Sequence, residues 1–292
     1  MTICVTGSTG TIGSLVVGQL AERGAEVRAV ARDPGKARLP DGVVPVKADL
    51  LDVDAVRAAL AGASTLFLLN AVTPDELTQA LIALDIAREA GIERVVYFSV
   101  FTGEVNADVP HFASKAAVER MIERSGVPAT ILRPAYFFQN DAALKDAVLG
   151  QGVYPMPVGD KGVSMVDARD IAEVAALCLL KRENAAGPLP REVIPIVGPE
   201  AFTGGALAAL WSEISGRPVS YAGDDLAAFE EQSKARMPGW AARDMRLMFR
   251  GFHRHGMAAK PGDLDRLAGL LGRPMRSYRD FARETLEEWR RS

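Results

Sequence analysis

The chain lacks what would staple or metallate a fold. It has two cysteines in 292 residues, Cys4 and Cys178, far apart in sequence and each inside an apolar run. That spacing excludes a disulfide framework and a zinc-type cluster, and it points to buried thiols in a reducing compartment. No excess charge of one sign is present: 34 Lys and Arg stand against 37 Asp and Glu, for a net charge of −3. A broad basic face, and with it nucleic acid as a partner, is not expected. No apolar run approaches the roughly 20 residues that span a bilayer, so no membrane partner is expected either. Met1–Val5 runs straight into a glycine turn, without the charged and long apolar regions of a leader, so a cytoplasmic location is predicted. Repeats, low-complexity tracts, a nucleophile elbow and paired carboxylates at a diagnostic spacing are also missing.

What remains is a chain that is 48% hydrophobic, enough for a sizeable core, and long enough for one large α/β domain with a smaller lobe. Its first half alternates short β-branched runs with helical patterns. Strands are predicted at Thr2–Thr6, Glu26–Ala31, Val43–Lys47, Thr65–Leu69, Arg94–Ser99 and Ala129–Arg133, with helices near Thr11–Arg23, Val53–Leu60, Pro74–Ala90 and Phe112–Arg124. The strands are apolar almost throughout, as strands covered on both faces should be. The pattern predicts a doubly wound parallel sheet of Rossmann type in the order 3-2-1-4-5-6. After Pro134 the rhythm changes. Helices are expected at Ala168–Leu180, Gly205–Ser215, Asp225–Ala235 and Tyr278–Arg290, and strands at Val193–Val197 and Pro218–Tyr221. The expected division is a dinucleotide-binding domain over residues 1–150 and a mainly substrate-binding, mostly helical C-terminal cap over 151–292. Residues 163–197 are candidates to return to the sheet.

The sharpest motif is Thr6-Gly7-Ser8-Thr9-Gly10-Thr11-Ile12-Gly13, between a predicted strand and a predicted helix. In that context Gly7 permits the tight turn, Gly10 lets a pyrophosphate reach the backbone, and Gly13 lets helix and strand pack closely. The free N–H groups and positive end of the helix would hold the phosphates. The spacing is G-x-x-G-x-x-G rather than the G-x-G-x-x-G of simple dehydrogenases. At the end of the second strand, where an NAD enzyme presents a carboxylate to the ribose hydroxyls, stands Arg32. A guanidinium there can hold a 2′-phosphate with paired hydrogen bonds, so NADP(H) is the predicted cofactor. Asp33 opposes that choice if it turns inward, while Lys36 and Arg38 add positive potential nearby. Asp49 and Leu50 follow the third strand; they either line an adenine pocket or Asp49 caps the next helix. Asn70 and Ser99 end the fourth and fifth strands, at the edge where open α/β sheets bind ligands.

Three later segments narrow the reading: His111-Phe-Ala-Ser-Lys115-Ala-Ala-Val-Glu119, Leu132-Arg-Pro-Ala-Tyr136-Phe-Phe-Gln-Asn140 and Val166-Asp-Ala-Arg-Asp170-Ile-Ala. Together with the glycine loop and the ending Leu271-Gly-Arg-Pro274 through Tyr278-Arg-Asp-Phe281, the chain resembles the NmrA-like branch of atypical short-chain dehydrogenase/reductases over nearly its whole length. That branch holds NAD(P)H-dependent reductases of quinones, triphenylmethane dyes and related electron-poor acceptors. It also holds NADP(H)-binding redox sensors that act through protein contacts without turnover. The resemblance implies a small aromatic or conjugated acceptor as partner and allows a homodimer, although no segment marks an interface.

Ketone-reducing members of the superfamily carry Tyr-x-x-x-Lys; here the segment reads His111 through Lys115, with histidine in the tyrosine position. The resemblance assigns Lys115 to the nicotinamide ribose and gives Ser99 the role of steadying the reacting oxygen. As alternatives, Lys115 is a helix-surface residue and Ser99 a strand-ending turn residue. His111 is either a proton donor, its reference pKa of about 6.5 suiting neutral pH, or a helix-end residue with no chemical role. Phe101 and Thr102 lead into an expected substrate loop. Tyr136, Phe137 and Asn140 follow the sixth strand, where the aromatic rings either stack on a flat acceptor or belong to the core. Met156 and Trp240 are further candidate lining. The expected reaction is hydride transfer from NADPH to a quinone, dye or enone, with the sensor as the alternative.

Overall fold

The computed structural model describes residues 1–36 and 38–291, with the side chain of Lys36 outside the description. Strands β1 (Thr2–Val5), β2 (Glu26–Ala31), β3 (Val44–Lys47), β4 (Thr65–Leu68), β5 (Arg94–Phe98), β6 (Ala129–Pro134) and β8 (Glu192–Ile196) form one sheet in the order β3-β2-β1-β4-β5-β6-β8. The pairings from β3 through β6 are all parallel. The expected six-strand order is there, extended by β8 at the β6 edge. The central strands are covered on both faces: Ile3, Cys4, Val5, Leu66, Phe67 and Leu68 are fully buried. The outer strand β3 is largely exposed and carries Pro45, a residue that only an edge tolerates.

Helices α1 (Thr11–Glu22), α2 (Val53–Leu60), α3 (Glu76–Glu89), α4 (Pro110–Ser125) and α5 (Ala168–Glu183) flank this sheet. Val56, Leu60, Ala80, Leu84, Val118 and Ile122 of α2, α3 and α4 share one apolar core with Leu66, Val95, Tyr97 and Ile131 of the strands. Helix α5 packs along α1, and its buried Ala172, Ala175 and Ala176 let the two approach closely. Its end is anchored by polar groups. Arg182 donates to Thr130 and to the carbonyls of Pro128, Leu189 and Pro190, and Glu183 accepts from Ser64 and Thr65.

The chain divides into two compact units, one of Met1–Val100, His111–Pro134 and Ala168–Pro195, the other of Phe101–Pro110, Ala135–Asp167 and Ile196–Ser292. The division differs from a cut at residue 150, because two loops leave the first unit early and α5 with most of β8 rejoins it. The second unit contains β7 (Val153–Tyr154) paired with β9 (Ser220–Tyr221), and helices α6 (Gly204–Ser215), α7 (Leu226–Ser233), α8 (Gly239–His255), α9 (Asp263–Leu271) and α10 (Tyr278–Arg291). No element was expected between Ala235 and Tyr278, yet α8 and α9 lie there. Glycines at 239, 251, 262 and 269 interrupt the helical signal in sequence, whereas burial of Phe249, Phe252 and Leu267 pays for the helices in the fold. Among the described residues no helix is long and apolar enough to cross a membrane.

Candidate cofactor and active site

The sheet reverses direction of growth at β1, with β2 on one side and β4 on the other. The loops leaving β1 and β4 therefore part company, and a crevice opens at their carboxyl ends. Thr6 staples its two sides: its N–H donates to the Phe67 carbonyl (3.1 Å), its hydroxyl donates to the Leu69 carbonyl (2.9 Å), and its Oγ1 accepts from the Leu69 N–H (2.8 Å).

The glycine loop follows. Gly7 has φ +61°, and a Cβ there would stand 2.9 Å from the Leu69 carbonyl oxygen. A Cβ on Gly13 would fall 2.1 Å from the Gly7 carbonyl oxygen, so α1 can lie this close to the loop only with glycine. At Gly10 the protein itself leaves room, since a Cβ would meet nothing nearer than 3.5 Å. Gly10 caps α1 without a side-chain hydrogen bond, and the first turn holds no acidic residue. The positive end of a twelve-residue helix is thus unneutralised from within. Thr9 and Thr11 are accessible on the loop, Ile12 is buried beneath it, and Ser8 is turned inward, its hydroxyl donating to the Val30 carbonyl at 3.0 Å. Two residues past β4, Asn70 is buried, and among the described residues neither its amide nitrogen nor its amide oxygen has a partner. An uncapped helix end and an orphaned carboxamide, which together offer an anion site and an amide-binding group, fit a dinucleotide.

Arg32 stands just past β2, exposed and without an ion pair among the described residues. The Asp75 carboxyl is held below its ordinary value chiefly by hydrogen bonds from Thr73 and Gln79, with the Arg32 charge the least of the causes. Leu50 packs partly buried against the core. Asp49 is exposed and its Oδ1 accepts from the Leu51 N–H. The alternative role for Asp49 is corrected: Asp52 is the N-cap of α2, accepting from the Ala55 N–H at 3.1 Å. Asp49 sits three residues too early and caps the preceding turn.

His111, Lys115 and Glu119 share one face of α4 at four-residue spacing. His111 is buried in the first turn, its ring edge-on to Phe112 at 4.6 Å. Lys115 is buried too, and its Nζ lies 2.6 Å from Oε1 of Glu76, the first residue of α3. The surface alternative for Lys115 is therefore corrected, because α4 turns this position inward. Ser99 does not present a free hydroxyl. It donates to Glu119, whose carboxylate also accepts from Nε and Nη2 of the Arg133 guanidinium. Burial first, then the charges of Glu76 and Glu119, push the Tyr97 phenol well above its ordinary value.

The remaining candidates fall in the second unit. Phe101 is buried, and Thr102 takes φ +59°, a left-handed conformation costly for a β-branched residue. The Asn106 side chain holds it there, donating from Nδ2 to the Thr102 carbonyl and hydroxyl oxygens at 3.2 and 3.1 Å. The Tyr136 ring packs edge-on to Phe249 and Phe252 at 5.9 and 5.8 Å, and Asn140 hydrogen-bonds its phenol. Phe137 pairs its backbone with Val166 and is half-buried, as is Met156; Asn140 is exposed, and Trp240 is exposed on the first turn of α8.

A family model described as the NmrA-like family matches residues 1–289. The chain belongs to the NmrA-like family. Among similar curated proteins of known name, the NAD(P)H azoreductase of Xenophilus azovorans is 32% identical, with 96% of each chain covered. The (4-alkanoyl-5-oxo-2,5-dihydrofuran-3-yl)methyl phosphate reductase of Streptomyces griseus is 30% identical, with 98% of each covered. Among solved structures, an NADPH-dependent quinone oxidoreductase of Escherichia coli complexed with NADPH superposes with a TM-score of 0.86 at 25% identity, covering 97% of this chain and 99% of that one.

Within this NmrA-like chain, two carboxylates went unnoticed as site residues in the sequence. Glu119 stood in the quoted α4 segment, four residues after Lys115, and that spacing was a usable signal. Glu76 had none: it reads as an ordinary first-turn acid, and only the packing of α3 beside α4 brings it to Lys115.

Proposed function

We propose that this protein is an NADPH-dependent reductase that delivers hydride to an electron-poor conjugated acceptor such as a quinone, an azo or other dye, or an enone. The observation that carries the cofactor is the uncapped α1 end above the glycine turn, with the Asn70 carboxamide, unpaired among the described residues, just past β4. NADP(H) is the cofactor and, when bound, supplies hydride from its nicotinamide ring. Backbone N–H groups of the glycine loop and first turn of α1, those of Ser8 and Gly10 apart, hold the diphosphate, Arg32 faces the 2′-phosphate, Asn70 meets a polar edge of the cofactor, and Lys115 donates to the nicotinamide ribose. These contacts orient the ring and exclude other faces from reaction.

The acceptor class follows from which proton donors the site lacks. Reduction of a simple ketone needs a donor beside the developing oxyanion. Histidine stands where the superfamily has tyrosine, and the Ser99 hydroxyl is committed to Glu119. A conjugated acceptor spreads the incoming electron pair over its own oxygen or nitrogen atoms and takes its proton later from water. The azo, dihydrofuranone and quinone groups in the names of the relatives all share that property. Stopped-flow mixing of NADPH-loaded protein with a panel of quinones, azo dyes and enones is expected to show acceptor-dependent loss of the 340 nm band. No loss with any acceptor defeats the reductase and leaves the cofactor-sensing alternative, which a cofactor-dependent pull-down would support.

A further inference from the structure

We propose that Glu76 is a positioning residue for the cofactor, acting through Lys115. The proposal rests on the reading that Lys115 holds the nicotinamide ribose, and it adds a residue to which neither the motif nor any family resemblance assigns a part.

Glu76 opens α3, the helix that follows β4, and Lys115 lies in the second turn of α4, the helix that follows the neighbouring strand β5. A first-turn acid on a surface helix normally stands in water, where it favours the helix dipole at no cost. Here Glu76 is 2% exposed and Lys115 5%. Burying two charges costs more than their mutual attraction returns unless their remaining hydrogen-bonding capacity is filled. It is not filled. Apart from the 2.6 Å ion pair, neither Glu76 oxygen has a hydrogen-bond partner, and no other partner accepts from Lys115 among the described residues.

A lysine ammonium has three donors. Glu76 holds it from one side by the 2.6 Å ion pair, which lacks hydrogen-bond geometry, and so biases where the donors point. The β4–α3 connection that delivers Glu76 begins at Asn70, whose carboxamide is also buried and unpaired. Polar groups with unused capacity thus come off the carboxyl ends of two adjacent strands, where a ligand with several hydroxyl and amide groups would complete them. The neighbouring Glu119 carboxylate, by contrast, is satisfied by Arg133 and Ser99. Glu76 moves no proton in this role: it keeps the ammonium aimed, so the nicotinamide half of the cofactor meets a preset donor.

The test compares calorimetric binding of NADPH with that of adenosine 2′,5′-bisphosphate, which keeps the adenine half and lacks the nicotinamide ribose. E76Q is expected to weaken NADPH by about tenfold, as loss of a charged hydrogen-bond partner does, while the bisphosphate stays within about twofold. E76Q added to K115M is expected to weaken NADPH no further than K115M alone. Equal weakening of both ligands, unchanged NADPH binding in E76Q, or additive losses in the double variant would each overturn the proposal. Should E76Q not fold, the double variant, uncharged at both positions, and E76D, which keeps the charge, carry the same comparison. Failure of the unmodified chain to bind NADPH removes the underlying reading together with the proposal, and it shows before any variant is made.

Discussion

At the scale of one residue, the proposed preference for NADPH over NADH rests on Arg32. Arg32 follows β2 at the slot where a carboxylate would favour NAD, and among the described residues it has no ion pair to give up. An unpaired, exposed guanidinium gains two charge-assisted bonds from a 2′-phosphate and nothing comparable from a hydroxyl. Arg32→Ala is therefore expected to weaken NADPH about ten- to a hundredfold and to leave NADH within about twofold, measured by calorimetry. Parallel changes for the two cofactors would remove Arg32 from the selectivity. Ser8 shows the limit of motif reading at this scale. It stands in the glycine loop, yet its hydroxyl serves the Val30 carbonyl, leaving only its backbone N–H group for a ligand, and that N–H already leans on the same carbonyl at 3.3 Å.

Between elements, the least expected arrangement is a buried acid in the second unit. Asp141 lies in a short 3₁₀ segment, Phe138–Ala143, and Tyr154 of β7 and Tyr278 of α10 both donate to its Oδ2. Tyr278 in turn accepts from the Trp211 indole of α6 at 3.0 Å, and Trp211 stacks on Trp289 of α10 at 4.9 Å. The other oxygen, Oδ1, has no partner. Burial pushes the Asp141 carboxyl up to about 7, against the lowering effect of the Tyr278 and Tyr154 hydroxyls. An unfolded chain releases this proton near pH 4. Below that pH both states hold it and the group costs nothing. Between about 4 and 7 the folded state alone keeps it, so stability falls with rising pH by roughly 1.4 kcal/mol per unit, and above 7 the loss is complete. Asp141→Asn is neutral at every pH and lacks this slope. The melting temperature of the variant relative to the parent is expected to rise from pH 4.5 to pH 8. A constant difference would show that Asp141 ionises as it does in water, and a falling one that the fold lowers its value; either overturns the expectation.

For the whole molecule, the incomplete bonding at the sheet's carboxyl edge means that ligand and fold stabilise one another. NADPH at a hundred times its Kd is expected to add about 2.7 kcal/mol of stability. For a chain of this size that raises Tm by about 4–5 °C in a thermal melt. A shift of the same size with NADH at the same concentration would contradict the cofactor preference, and no shift with either would contradict the site. The proposed cofactor residues Gly7 through Gly13, Arg32, Asn70 and Lys115 belong to one compact unit, and the proposed acceptor residues Phe101, Thr102, Tyr136, Phe137, Asn140, Met156 and Trp240 to the other. On this proposal, binding and acceptor choice are open to separate mutation.

The sequence alone determined the parallel sheet, its order from β3 to β6 and the glycine turn, and it set His111 and Lys115 four residues apart on one helix. These depend on near neighbours: apolar runs of strand length, a turn that only glycine closes, and a helical period that repeats within one element. Tertiary structure alone decided that Glu76 faces Lys115, that Ser99 serves Glu119 and Arg133, that α8 forms despite its glycines, and that Asp141 is sealed beneath two tyrosines. Each of those joins residues from different elements, whose partners are chosen by how helices and loops pack, and nothing in the local pattern of one element records what the next will bury against it.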